Sequence, residues 1–339
     1  MFGRLTHSIA AGVMAAWLAL SPSTPKAASI AGLTDVAFAS RRDGNWEIYR
    51  MDATGQNQRR LTRRDAEDRF PLWSPDGQQI AFASQVGSAW ELWLMNANGT
   101  NQRRIASAIV PKSTRGWSPD GKLIAFAARA DSNVDVYTVD VRSDRITRLT
   151  SSPGVDRDPC WSPDGTRLAW ASTRDGVSQI HIIGANGSGE RRLTSTATAV
   201  APRWSPDGKS IAFISDRDGT RDVYIASVDG HDVERLTVAA RATADPPLWS
   251  SDGSRLVIQV EHNGNYDIDV VTVADRRHSS VESSAAYDGS YAWSPTGAQL
   301  AFISSRDGVD ALYISNLDGR PAIRLTTTAS LTPAWGSQR

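Results

Sequence analysis

A chain of 339 residues with 37 basic and 37 acidic side chains carries no net charge at neutral pH. That removes the long-range pull that draws basic proteins to nucleic acid or to an anionic membrane surface. The single cysteine, Cys160, excludes an intrachain disulfide, so packing has to carry the stability. Twelve tryptophans is a high count, and their positions organise everything after the first thirty residues.

Residues 1–31 read as an export signal. Arg4 gives a positive start, an apolar run extends from Ile9 to Leu20, and Ser21-Pro22-Ser23-Thr24-Pro25 breaks it. Small residues at Ala27, Ala28, Ser29 and Ala31 offer cleavage points, and the absence of cysteine there argues against lipid attachment. The run is shorter than the roughly 20 residues that span a bilayer, and no second run of membrane length follows. The expectation is a secreted or periplasmic monomer with no membrane span once the signal is removed, whose mature domain occupies residues 32–339.

From Thr34 onward one word recurs. Trp-Ser-Pro-Asp-Gly stands intact at Trp73–Gly77, Trp117–Gly121, Trp161–Gly165 and Trp204–Gly208. It is altered at Trp249–Gly253 and Trp293–Gly297, and ends as the relic Trp335-Gly336. Successive tryptophans lie 44, 44, 43, 45, 44 and 42 residues apart. Each unit continues with an apolar stretch such as Ile80-Ala81-Phe82, an alternating stretch such as Asp222-Val223-Tyr224-Ile225, and a segment ending in Arg-Leu-Thr, as at Arg148–Thr150. Gly, Asp and Asn cluster between them. Four short strands joined by tight turns at this period make the blade of a β-propeller. The fold class is therefore all-β: a single propeller of four-stranded antiparallel blades.

Seven second strands begin near Val36, Ile80, Ile124, Leu168, Ile211, Leu256 and Leu300, and seven first strands end on tryptophan. The chain thus opens on a second strand and closes on a first strand. Pairing the segment that ends at Trp335 with the strand at Val36 completes a seventh blade and removes two exposed edges. The repeated Trp, Ile-Ala-Phe and Leu positions are expected to cement the blades together. Pro-Asp-Gly supplies a turn, Pro by fixing φ and Gly by tolerating positive φ.

Trp-Ser-Pro-Asp-Gly, Ile-Ala-Phe, the Arg-Asp-Gly turns and Arg-Leu-Thr together resemble the propeller of the TolB family over residues 34–336. The resemblance implies a cell-envelope role, with peptidoglycan-associated lipoprotein as partner within the Tol-Pal system. TolB proper looks like a six-bladed propeller behind an N-terminal α/β domain. Six blades is therefore the alternative to the seven counted here, and that extra domain has no counterpart between the signal and the first strand.

In a meander, the second-to-third turns and the loops into each new first strand share one face, and the Pro-Asp-Gly turns share the other. The first face varies more, and variable loops on a rigid scaffold are where binding sits. The Arg-Asp-Gly turns at Arg42–Gly44, Arg174–Gly176, Arg217–Gly219 and Arg306–Gly308 recur too often to be a site. They are expected to be structural turns held by an Arg–Asp contact. Blade-specific residues are the better candidates for a partner: Trp46, Asp68, Arg69, Phe70, Trp90, Asp156, Arg157, Asp158, Arg203, Asp245, Tyr287, Asp288 and Tyr291, near the mouth of the central channel. Aromatic and Arg side chains there suit a protein or peptide, an envelope lipoprotein being one candidate.

Catalytic chemistry is hard to find. No Gly-x-Ser-x-Gly word is present. His181, His231, His262 and His278 fall at non-equivalent places without metal-ligand spacing, and His181 reads as packed in a third strand. Asp216, Asp218 and Asp222 lack the spacing and terminal Glu of a calcium loop. No catalytic residue, metal or cofactor is assigned. The leading expectation is a non-enzymatic, envelope-associated binding module. The alternative is a metal-dependent propeller enzyme, a polysaccharide lyase or lactonase-like hydrolase.

Overall fold

The computed structural model describes residues 35–113, 116–243, 245–281 and 285–336. The proposed export signal lies outside the described residues. Seven four-stranded antiparallel sheets follow one another around a ring, as the repeat count requires. In blade 5, for example, the strands are Ala199–Trp204, Ser210–Ser215, Asp222–Ser227 and Val233–Arg235. Second strands are buried on both sides, because each blade is sandwiched between two others. This is why Ile211-Ala212-Phe213 reads as a continuous apolar run rather than an alternation. The fourth strands, on the outside, are short and exposed.

Blade 1 is built from both ends of the described chain. Ser330–Trp335 pairs antiparallel with Val36–Ser40, with Val36 opposite Trp335 and Ser40 opposite Ser330. The remaining strands of that blade are Glu47–Met51 and Arg59–Arg60. The predicted closure is present, with a register shift between Ala37 and Ala39.

Three recurring devices hold blade to blade. The first is the tryptophan. The indole N–H of Trp117 donates to the carbonyl of Leu72 at 3.2 Å, Trp161 to Gly116 at 2.9 Å, Trp249 to Arg203 at 3.1 Å, Trp293 to Leu248 at 2.9 Å and Trp335 to Ala292 at 3.1 Å. Each acceptor is the residue just before the tryptophan of the preceding blade. The indole therefore buries a large apolar surface and satisfies its polar atom across the interface. Trp73 and Trp204 keep the position, but their indole N–H groups lack a partner.

The second device is the Pro-Asp-Gly turn. Gly121, Gly165, Gly208 and Gly253 have φ near +70° and face Pro75, Pro119, Pro163 and Pro206 of the preceding blade, where an added Cβ would lie 3.4–3.7 Å from the ring. Within each turn the Asp is fixed by its own Ser. Ser162 Oγ donates to Asp164 Oδ1 at 2.5 Å, and Arg167 N donates to Ser162 Oγ at 3.0 Å. The Ser hydroxyl is the largest of the causes that hold Asp120, Asp164 and Asp252 at a pKa of about 2.

The third device lies on the opposite face. In five blades a residue at the start of the third strand offers its carbonyl to the next blade: Trp46 to Asp68 N at 2.7 Å, Trp90 to Ile109 N at 3.0 Å, Ser178 to Ala199 N at 2.8 Å, Arg221 to Ala242 N at 2.9 Å and Asp310 to Ser330 N at 2.7 Å. The side chain at this position is left free to vary.

Arg-Leu-Thr closes five of the seven blades on their outer side. The Thr hydroxyl accepts from a third-strand N–H, as from Ile48 to Thr62 at 2.9 Å and from Val223 to Thr237 at 3.0 Å. The Arg reaches an acid at or near the start of the third strand, as Arg148 to Asp135 and Arg235 to Asp222, both at 2.6 Å.

Two predictions follow from this construction. Trp335→Ala should destabilise the mature chain by about 3–5 kcal/mol in urea unfolding, since it opens a cavity at the closing seam. A chain ending at Ala329 should fail to reach the parent melting temperature, and equal stability would remove the seam's role. Asp120, Asp164 and Asp252 have folded pKa values below the usual carboxylate value of about 4. Their contribution is present above that value and lost as pH falls toward about 2. The triple Asp→Asn variant should show a shallower fall in melting temperature over that window.

Candidate functional site at the channel mouth

The first strands line a central channel of about 570 Å³. Its walls run from the loops that enter these strands, at Lys112, Asp245 and Tyr287, down to the Ser-Pro turns at Pro206 and Ser251. The lining is shaped by a bulge. Phe70, Asp158, Ala201, Ser290 and Thr332 each sit three residues before a tryptophan and have φ between 48° and 58°. The register against the second strand slips at each of these bulges. Non-glycine residues seldom adopt this backbone, and strain of order 1–3 kcal/mol persists only where the surroundings over-determine it. Proline follows the bulge at Pro71, Pro159, Pro202 and Pro333, so much of the wall is rigid.

Five of the predicted residues, Phe70, Arg203, Asp245, Tyr287 and Tyr291, line this channel. Tyr291 stands where other blades have proline and donates from its hydroxyl to the carbonyl of Pro246 at 3.0 Å. Tyr287 folds back over Gly289: a Cβ there would lie 2.4 Å from the Tyr287 hydroxyl, so a larger residue would have to displace the ends of the Tyr287 and Gln259 side chains. The structure also gathers Trp46, Arg69, Phe70 and Trp90 into one cluster. The Arg69 guanidinium lies 5.1 Å from the Trp46 ring centre and 6.0 Å from that of Trp90, and pairs with Glu67. Phe70 packs edge-on against Trp90 with centres 6.1 Å apart.

Arg157 is exposed, 3.9 Å from Asp158. Asp68, Asp156 and Asp288 are set apart from the rest, because they are buried in equivalent places and serve the blade itself. Arg64 pairs with Asp68 at 2.7 Å, Arg174 with Asp156 at 3.0 Å and Arg306 with Asp288 at 3.3 Å.

The Arg-Asp-Gly turns are structural, but the contact inside them differs from the one expected. Their Arg stacks on a cross-strand ring pair: Arg42 over Tyr49 at 4.5 Å, Arg217 over Tyr224 at 4.8 Å and Arg306 over Tyr313 at 4.7 Å. Their Asp instead accepts from the Tyr hydroxyl, at 2.7 Å for Asp218 and Tyr224. Burial first, and the Asp second, push Tyr49, Tyr224 and Tyr313 up to about 12. His181 takes the Tyr position in blade 4 and packs on Trp170, as expected of a core histidine. Asp222 of the acidic trio is enclosed by Thr220, Thr237 and Arg235 rather than open to an ion.

Residues 90–246 match the family model described as the TolB beta propeller domain. The fold also superposes on TolB of Acinetobacter baumannii, with a TM-score of 0.62, 18% identity, and coverage of 90% of this chain and 67% of that one. A TolB-type protein of Agrobacterium tumefaciens is 28% identical, with a TM-score of 0.51 over 65% of this chain and 87% of that one. The chain is a TolB-like β-propeller. Its fold is shared with an oligogalacturonate lyase in complex with manganese, at a TM-score of 0.67 and 17% identity over 84% of this chain and 86% of that one. Among the described residues of this TolB-like propeller, no helix is long and apolar enough to cross a membrane.

Two features of the TolB-like propeller's mouth escaped the sequence reading. The proline two residues before the tryptophan recurs at Pro71, Pro159, Pro202, Pro247 and Pro333, a signal as plain as Trp-Ser-Pro once the strands are aligned on the indole. Arg221 and Tyr266 occupy the position of Trp46 and Trp90, which counting back from the third-strand acid would have shown.

Burial raises Asp68 to about 6, outweighing the opposing pull of Arg64. Its folded pKa lies above the unfolded one, so the native state holds the extra proton and this group's contribution to stability declines as pH rises from about 4 to about 6. Asp68→Asn should flatten the melting-temperature profile across that interval, and an unchanged slope would place the proton elsewhere.

Proposed function

We propose that this chain is a non-catalytic, extracytoplasmic binding propeller that takes an extended segment of a protein partner at the mouth of its channel. The carrying observation is the lining itself. Phe70, Tyr287 and Tyr291 present aromatic surface, the prolines hold the wall rigid, and Arg203 and Asp245 add one charge of each sign. Aromatic anchors in a pre-organised, concave wall are where binding energy concentrates, since little side-chain entropy is lost on contact. The Trp46–Arg69–Trp90 cluster extends this surface outward across blades 1 and 2. The extracytoplasmic setting rests on the charged start and apolar run of residues 1–31, and an envelope lipoprotein remains the kind of partner that the TolB resemblance implies.

The metal-dependent enzyme is the second reading, raised by the manganese-bound lyase that shares the fold. The described donors fit it poorly. The channel lining contains one carboxylate, Asp245, and no histidine. Among the described residues no three His, Cys, Asp or Glu side chains converge. A hard cation such as manganese calls for several oxygen or imidazole ligands at one point.

The test is capture from envelope extract with residues 32–339 as bait, beside a matched Phe70→Ala, Arg203→Gln, Tyr287→Ala bait. Recovery of the partner should fall at least about tenfold with the variant, as loss of more than one anchor predicts, while its melting temperature stays close to the parent. Undiminished recovery would move the site elsewhere. Turnover of polygalacturonate in the presence of manganese would overturn the non-catalytic assignment.

A further inference from the structure

A second cleft, about 400 Å³ in volume, opens between blades 5 and 6 on the same face as the channel mouth. Arg221 stands on one side, directly before the third strand of blade 5, and Arg241 stands in the loop entering blade 6. The backbone fixes both. Ala242 N donates to the Arg221 carbonyl at 2.9 Å, and Glu261 N donates to the Arg241 carbonyl at 3.2 Å. Arg241 is held in the left-handed region, with φ of 47°, a conformation that a long side chain seldom adopts.

Both side chains are exposed, and neither guanidinium has an ionic or hydrogen-bonded partner among the described residues. Of the nearby acids, Glu261 lines the cleft itself and Asp222 is committed elsewhere. Glu261 Oε1 accepts from Gly264 N at 3.2 Å within its own hairpin. Asp222 is taken by Thr220 and Arg235, both at 2.6 Å. Other arginines on this face are engaged: Arg42 and Arg217 stack on rings, and Arg174 and Arg306 pair with buried acids. Two guanidinium groups against the one carboxylate of Glu261 leave the cleft lining net positive and favour an anion beside them.

We infer that this cleft is a binding site for the carboxylates of an acidic peptide segment. A lone small anion gains little from two exposed arginines in water. A chain bearing several carboxylates engages both at once, and each contact raises the effective concentration for the next. Carboxylates on flexible side-chain stems adjust to guanidinium groups on separate loops more readily than carboxylates held close to a sugar ring. Tyr266, 40% exposed, completes the wall. It packs edge-on against Tyr287, with ring centres 5.9 Å apart, so the cleft abuts the channel. The inference does not depend on what the channel holds.

Fluorescence anisotropy with a fluorescein-labelled hexaglutamate peptide tests it on the mature chain, with hexaglutamine as the uncharged control. Hexaglutamate should bind at low salt, weaken as salt rises, and lose about tenfold in affinity in the Arg221→Gln, Arg241→Gln variant. The Arg→Lys pair should restore part of it. Arg129→Gln, an exposed arginine on blade 3, should leave binding unchanged and so separate a site from general charge. Thermal melts confirm that each variant folds. No binding of hexaglutamate at low salt, an equal loss in Arg129→Gln, or displacement by inorganic phosphate or digalacturonate at concentrations equal to the peptide would each overturn the assignment.

Discussion

The indole hydrogen bond from one blade's first strand to the carbonyl of the blade before is the contact on which the ring depends. A propeller blade is a four-stranded sheet too small to be stable alone, and it gains its core only by covering both faces with its neighbours. The tryptophan makes that cover directional. Its ring packs between blades, and at five of the seven interfaces its N–H also reaches a fixed acceptor, which ties the position of one first strand to that of the last. Closure follows the same rule. Trp335 reaches Ala292 of blade 7 while its strand pairs with Val36–Ser40, so one segment completes both the last interface and the first blade.

The fold was legible because its signals are periodic. A tryptophan every 42–45 residues, with turn chemistry at a constant offset, leaves few architectures open. Counting strands from both ends placed the seam at Val36 and Trp335 because an unpaired strand has to find an edge. The left-handed bulges at Phe70, Asp158, Ala201, Ser290 and Thr332 were not legible. Their residue types share nothing that marks positive φ, and the conformation coincides with a register shift against the second strand.

The site was legible only in outline. Phe70, Arg203, Asp245, Tyr287 and Tyr291 reach the channel because blade-specific residues ahead of the tryptophan face it. Asp68, Asp156 and Asp288 occupy the same stretch yet point into the blade, where they meet Arg64, Arg174 and Arg306. Sequence spacing could not separate the two groups, because the bulge between Asp68 and Trp73 breaks the simple alternation of faces. The Arg-Asp-Gly turns show a related limit. Neighbouring Arg and Asp suggest each other as partners, but the cross-strand Phe and Tyr pair draws the Arg over its rings and the Tyr hydroxyl draws the Asp.

The two faces differ because their inter-blade bonds use different atoms. On the Pro-Asp-Gly face the turn needs a positive φ at its glycine and sets the preceding blade's proline beside it, so residue identity is constrained and the word repeats. On the opposite face the contact is a main-chain carbonyl and amide, so the side chain carried by the bonding residue is free. Trp46, Trp90, Ser178, Arg221 and Asp310 all make that same backbone bond while presenting aromatic, polar, basic and acidic groups. A scaffold of this kind can acquire a new surface at one blade without disturbing the ring. That is why aromatic density gathers over blades 1 and 2 and unpaired positive charge over blades 5 and 6.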